Sequence, residues 1–192
     1  MPILQVSYPT GALDAISKPV LAARLTNVLL TMEGGAHTPG GLAFATVLFS
    51  EVPREDWFVG GRADDTHVHP PGKFLVRVTI PEGYMSQAHK SEVHAMVNQE
   101  FLEVLGGGDS ASGGASILVT IEEVTEGDWG CAGRTISLAS IADSVGLPVA
   151  GPRFRWVLEY FAAKARLFKS AGYPDDTGGL LRPKRQEKSP AT

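Results

Sequence analysis

Met1-Pro-Ile-Leu-Gln-Val-Ser-Tyr-Pro-Thr-Gly11 and Lys73-Phe-Leu-Val-Arg-Val-Thr-Ile-Pro-Glu-Gly83 are two versions of one phrase. Each is a short β-rich run closed by proline, with glycine two residues later. The correspondence continues without a gap at a constant offset of 72, so that 1–62 matches 73–134 with 17 identities in 62 positions. Ordinary residue frequencies would give about four. Lys18, Gly34, Gly35, Glu51, Asp56, Trp57, Gly61 and Arg62 recur as Lys90, Gly106, Gly107, Glu123, Asp128, Trp129, Gly133 and Arg134. The chain is a duplication, and each copy must be one supersecondary unit.

Each unit reads strand, helix, strand. After the first run, Leu21, Leu25, Val28, Leu29 and Met32 fall on one face of a helix starting near Ser17, with Pro19 tolerated in its first turn. In the second unit Val93, Val97, Phe101 and Val104 do the same, with Ser86 as N-cap. Both helices are predicted to stop at a Gly-Gly pair, ahead of strands over 43–52 and 115–124. A helix of this length between two strands is a right-handed crossover, so the strands within each unit run parallel. The predicted fold is α/β: duplicated βαβ units forming a four-stranded sheet with two helices on one face, plus a C-terminal helix. The other face, with Ile3, Gln5, Ser7, Leu75, Arg77 and Thr79, has no cover within one chain, which points to an oligomer. The expected organisation is 1–62 first unit, 63–72 linker, 73–144 second unit with a hairpin, and 145–192 a helix over 153–171 followed by a polar, mobile tail from 174.

The 192 residues carry a formal net charge of −4, with 43% hydrophobic and 20% charged residues. This balance offers no basic excess for nucleic acid or an anionic membrane. No apolar run approaches a membrane span, and no signal peptide is read at the start, so a cytoplasmic location is expected. A single cysteine, Cys131, leaves no internal disulfide. It is expected to be a small packing residue. Asp64, Asp65, His67 and His69 are metal-ligand types, but a Pro-containing linker supplies no fixed geometry for them. The segment 106–114 is Gly-rich, yet follows a helix where a phosphate loop precedes one, and reads as a flexible loop. The charged 153–171 helix is expected to pack on the body or on a neighbouring subunit.

The Met-Pro start, the βαβ unit of about sixty residues and the segment Glu51-Val-Pro-Arg-Glu-Asp-Trp-Phe-Val-Gly-Gly61 resemble the tautomerase superfamily, the group of 4-oxalocrotonate tautomerase. The two-unit layout over residues 2 to about 140 is similar to malonate semialdehyde decarboxylase and cis-3-chloroacrylate dehalogenase. Asp128-Trp-Gly-Cys-Ala-Gly-Arg134 is similar to the Asp-Trp segment of the decarboxylases.

The resemblance implies that Met1 is removed and that Pro2 becomes a catalytic N-terminal secondary amine. It implies a homotrimer acting on a small carbonyl or enol acid without cofactor or metal. An N-terminal amine titrates near 8, lower than lysine, and burial lowers it further. It is therefore suited to abstract a proton beside a carbonyl near neutral pH. Keto–enol tautomerisation with Pro2 as general base is the leading expectation. Pro2 as a cationic general acid in dehalogenation, decarboxylation or hydration is the alternative, and a non-catalytic oligomer is the rival from another class.

The arginines that hold the family's acidic substrates would fall at Ala12, about Thr46, and around Glu82, Gly83 and Met85, and none is arginine here. Arg134 and Arg62, in the hairpins after the fourth and second strands, are the candidate replacements. Trp129 is a candidate pocket wall, and His37 a further lining residue. Trp57 is expected to pack between subunits.

Overall fold

The structure is a computed structural model, and describes residues 2–32, 37–147 and 150–181. The first unit contributes β1 (Ile3–Pro9), α1 (Ser17–Met32), α2 (Pro39–Phe44) and β2 (Thr46–Val52). The second contributes β3 (Phe74–Pro81), α3 (Gln87–Leu105) and β4 (Ile117–Val124). A two-residue hairpin, β5 (Gly130–Cys131) with β6 (Arg134–Thr135), leads to α4 (Leu138–Val145) and α5 (Pro152–Ser170).

The sheet order is β2-β1-β3-β4. Within each unit the strands are parallel, as the crossover requires, with Ile3 opposite Thr46 and Phe74 opposite Ile117. The units meet antiparallel through β1 and β3, with Ile3 opposite Thr79 and Val6 opposite Val76. Alternate residues Leu4, Val6 and Tyr8 of β1, and Phe74, Val76, Val78 and Ile80 of β3, are buried against the helices. From α1 they meet Leu21, Leu25 and Val28, and from α3 Val93, Val97 and Phe101, in one continuous core. Arg24 of α1 pairs with Glu100 and Glu103 of α3 and ties the two helices together.

The repeat is visible in contacts as well as letters. Lys18 pairs with Glu51 at 3.4 Å, and their copies Lys90 and Glu123 pair at 2.8 Å. The turn at Gly60-Gly61 has positive φ at both residues, as does its copy at Ala132-Gly133. These are the values a type I′ hairpin turn demands.

Helix α1 begins at Ser17, where the Asp14 carboxylate accepts the backbone N–H groups of Ile16 and Ser17. Helix α3 begins with Ser86 as N-cap in a reciprocal box with His89 and ends at Gly106. The corresponding stop at Gly34-Gly35 lies outside the described residues.

Expectations about three segments are corrected. The strand read over 43–52 starts only at Thr46, because Thr38 caps and Pro39 opens the short helix α2. Residues 138–145, read as part of a hairpin region, form α4. Its buried Leu138, Ile141, Ala142 and Val145 follow helical spacing. The segment after 173 is not wholly loose. Gly179 N–H donates to the Glu126 carbonyl at 2.8 Å, and Leu181 packs against the core. The remainder of the tail, 182–192, lies outside the described residues.

Helix α5 packs on the body as expected, through Phe154, Val157 and Phe161. Cys131 is exposed at the hairpin, not packed. No helix among the described residues is long and apolar enough to cross a membrane.

Candidate functional site

The antiparallel junction gives the sheet two unlike ends. One end holds the starts of β1 and β2 and the finishes of β3 and β4. Pro2 lies there. Its carbonyl accepts the Thr46 N–H at 3.2 Å, and Ile80 is the next residue of β3 in register. Pro2 is buried and shares the alternation of Leu4 and Val6, so it faces the helical layer.

Four segments gather at this proline end. The first is α2, which delivers the chain into β2. The second is the loop after β3, where Tyr84 and Met85 are buried. The third is α4. It starts beside the exit of β4, where both carboxylate oxygens of buried Glu126 lie 3.1 Å from the Leu138 backbone N–H. A carboxylate at a helix N-terminus is favourable both as a cap and against the helix dipole. Helix α4 finishes beside α2, where the Thr38 hydroxyl donates to the Val145 carbonyl at 3.0 Å. Its eight residues cover about 12 Å at 1.5 Å per residue. Three inter-strand gaps at about 4.8 Å make about 14 Å. Helix α4 thus spans most of that width, from Glu126 after β4 to Thr38 before β2.

The fourth segment is α5. Glu82, in the loop after β3, accepts from Lys164 at 2.5 Å and from the Tyr160 hydroxyl at 2.8 Å. Burial works against the charge on Glu82, but the Lys164 ammonium and the Tyr160 hydroxyl outweigh it and hold the carboxyl below its ordinary value. Burial together with Glu82 pushes the Tyr160 hydroxyl up to about 12. Near the start of α5, the Arg153 guanidinium donates to the Met32 carbonyl at the end of α1 and lies over the Tyr84 ring.

The sequence-predicted candidates divide between the two ends. Trp129 and Arg134 follow β4 and so leave the sheet at the proline end, on its outer edge. Trp129 is 7% exposed, and its indole N–H has no hydrogen-bond partner among the described residues. Arg134 is exposed on β6 opposite Cys131, and forms no ion pair among the described residues. His37 is exposed, one residue before the Thr38 cap, on the approach to β2. Arg62 follows β2 and leaves at the opposite end, about 20 Å away along seven-residue strands. Its guanidinium there is engaged by the Asp64 carboxylate, at 3.0 Å and 3.1 Å through Nε. Within one protomer, Arg62 and Pro2 are therefore not brought together. Among the described residues no three His, Cys, Asp or Glu side chains group as a metal site.

Sequence reading missed α4, Glu126 and Arg153. Signals for α4 were present: Ser137 and Ser140 at capping-box spacing, apolar residues at 138, 141, 142 and 145, and Gly146 as a stop. Nothing local reveals that Arg153 returns to Met32, 121 residues earlier.

Comparison with known proteins gives matches only at the level of structure. No family model and no curated protein matches the sequence. A native fused 4-OT superposes with a TM-score of 0.56 and 25% identity, over 69% of this chain and 94% of its own. A wild-type fused 4-OT in a symmetric trimer gives a TM-score of 0.55 and 21% identity, over 72% of this chain and 97% of its own. N1, a member of the cis-3-chloroacrylic acid dehalogenase family, gives 0.56 at 16% identity, over 88% of this chain and 99% of its own. Those last two likenesses are of fold alone, and the share that N1 leaves uncovered is too small to contain all of 145–192. The gapless repeat, the sheet of two βαβ units joined antiparallel and these likenesses agree: the chain is a fused, two-unit member of the tautomerase superfamily.

Proposed function

We propose that the protein is a cofactor-independent tautomerase in which Pro2, freed by removal of Met1, is the general base. Its substrate is a small carbonyl or enol acid. The observation that carries this reading is the position of Pro2. It begins the inner strand β1, is buried, faces the helical layer, and lies where α2, α4, α5 and the loop after β3 converge.

Burial disfavours the charged form of an amine, so the buried position of a freed Pro2 favours the neutral base over the ammonium. The ring fixes the direction of its lone pair. The amine takes the proton α to the carbonyl and returns it to the other end of the enol system, a transfer that leaves the enzyme unchanged.

In this reading the buried Trp129 forms an apolar wall, Arg134 is a substrate cation, and His37 borders the approach. Arg62 would serve a pocket only across a subunit boundary. The homotrimer belongs to the same proposal. The open sheet face and the trimeric fused 4-OT at 21% identity support it. A cytoplasmic location is proposed with it.

Turnover of phenylenolpyruvate or 2-hydroxymuconate by the wild type and Pro2→Ala tests the assignment. Loss of a general base lowers kcat/KM about a hundredfold or more. Equal rates in the two proteins reject Pro2 as the base. Titration of the N-terminal amine separates the roles. A value below 8 fits a base and a value above 8 a general acid. A blocked terminus excludes both.

A further inference from the structure

Arg153 stands at the proline end as a half-buried cation that forms no ion pair among the described residues. Its Nη1 donates to the Met32 carbonyl at 2.6 Å, and the guanidinium lies 5.3 Å from the centroid of the Tyr84 ring. No carboxylate among the described residues forms an ion pair with it. A guanidinium has five N–H groups, and one hydrogen bond to protein leaves most of them available. Its field is felt nearby: burial, then the positive charge of Arg153, holds His89 below its ordinary value.

The two groups that hold Arg153 also fix where it is. Met32 closes α1, and the chain beyond it returns through α2 to Thr46, whose N–H binds the Pro2 carbonyl. Tyr84 stands four residues past Ile80, which is level with Pro2 in the β1–β3 register. Arg153 therefore lies at the end of the sheet that holds Pro2, on the helical side that the Pro2 ring also faces. Helix α5 holds it there, anchored by Phe154, Val157 and Phe161 and by the Glu82 contacts of Tyr160 and Lys164. A cation at the end of α1 also complements the helix dipole. That explains one hydrogen bond and leaves the guanidinium without an ion-pair partner among the described residues. A partly desolvated cation favours an anion that enters and pairs with it, and the planar fork of arginine suits a carboxylate.

We propose that Arg153 binds the carboxylate of the substrate at the proline end and sets the preference for anionic over neutral carbonyl compounds. This rests on the assignment of Pro2 above. The cation comes from the C-terminal helix, outside the duplicated units.

Covalent labelling with 2-oxo-3-pentynoate, an anion, and 3-butyn-2-one, a neutral analogue, tests it. A free secondary amine adds to the alkyne carbon β to the ketone. The N–C bond forms, one alkyne π bond is consumed, and the amine proton ends on the α carbon. The adduct therefore carries the full reagent mass. The ratio of anionic to neutral labelling rates at Pro2 is expected to fall tenfold or more in Arg153→Gln, which keeps a donor for Met32 but loses the charge. Arg155→Gln, at an exposed position two residues on, is expected to leave the ratio within twofold. An unchanged ratio in Arg153→Gln overturns the proposal. Should that variant fail to fold by circular dichroism, Arg153→Lys carries the comparison. It keeps charge without the fork, so a several-fold fall supports the proposal and no change overturns it.

Calorimetric binding of maleate gives a readout independent of Pro2 chemistry. Affinity is expected to weaken at least tenfold in the Arg153 variant, and equal affinities overturn the proposal. If 3-butyn-2-one does not label a free Pro2 in the wild type, the Pro2 assignment fails, and the maleate comparison still decides Arg153.

Discussion

Glu82 and Lys73 show how single charges hold the two ends of the sheet in shape. Glu82 is folded under Lys164 and Tyr160, and its carboxyl is held below the ordinary value near 4.5. A carboxyl depressed by folding adds stability above its unfolded pKa. That contribution is lost as pH falls through the lower folded value. Glu82→Gln is therefore expected to cost about 1–3 kcal/mol at pH 7, by breaking partly buried charged hydrogen bonds. It should also flatten the loss of stability below about pH 4.5. Urea unfolding at several pH values measures both, and parallel pH profiles for the two proteins would refute the assignment. Lys73 occupies, by the 72-residue offset, the copy of position 1. Its side chain is 5% exposed, and its ammonium donates to the carbonyls of Trp57 at 3.2 Å and Ala63 at 2.9 Å. Where the first unit opens onto Pro2, the second therefore closes its corresponding end with a lysine that pins the hairpin of Trp57 to the linker. Lys73→Met leaves those carbonyls without their donor, and a loss of about 1–3 kcal/mol in equilibrium unfolding is expected.

Among the elements, α2 and α4 depend on a glycine. A Cβ on Gly40 would lie 2.3 Å from the Ser144 carbonyl oxygen, a backbone atom that cannot turn aside. Gly40→Val must separate α2 from α4, and overpacking of this kind costs about 1–3 kcal/mol. Because α4 crosses the proline end, hydrogen exchange should rise in 138–145 while β1 and β3 stay protected. Uniform exchange in variant and wild type would show that the contact is not tight. These two helices also mark the limit of what was legible in the sequence. The strands of both units, helices α1 and α3, the Ser86 cap and the bare sheet face follow from period and repeat, which are local signals or comparisons of the chain with itself. Helix α2 is six residues long, too short for a periodic pattern, and only Thr38-Pro39 announces it. The proline end is a meeting of residues distant in sequence: Glu126 with Leu138, Thr38 with Val145, Arg153 with Met32. Trp129, Arg134, Arg62 and His37 are candidates through the resemblance, and only the antiparallel β1–β3 junction puts Trp129 and Arg134 at the end of Pro2 and Arg62 at the other. Arg153 could not be found this way, because no repeat or period connects α5 to α1.

At the scale of the molecule, the open sheet face remains to be covered. Three rows cross it in register: Thr46, Ile3, Thr79 and Glu122; Leu48, Gln5, Arg77 and Thr120; and Ser50, Ser7, Leu75 and Leu118. Leu48 and Leu118 are 49% and 62% exposed at its two borders, and Arg77 is exposed in the middle. Sheets containing parallel pairs seldom face water on a side bearing leucine and isoleucine. The proposed trimer gives each such face to the common interior. Leu75→Asp is the direct test, because Leu75 points away from the helical core and its replacement leaves that core intact. Three aspartates brought into one assembled interior would each bear a charge that burial penalises and its neighbours repel. The wild type is expected to sediment at three times the 20.4 kDa chain mass, and Leu75→Asp at one chain at micromolar concentration, with an unchanged circular dichroism spectrum. A wild type that sediments as one chain rejects the trimer. A Leu75→Asp protein that stays trimeric moves the interface off this face. If Arg62 serves a pocket, it does so from a neighbouring subunit, since about 20 Å of sheet separates it from the proline of its own chain. In that case the monomeric variant loses any contribution of Arg62, while Arg153, held within the protomer, continues to bind maleate.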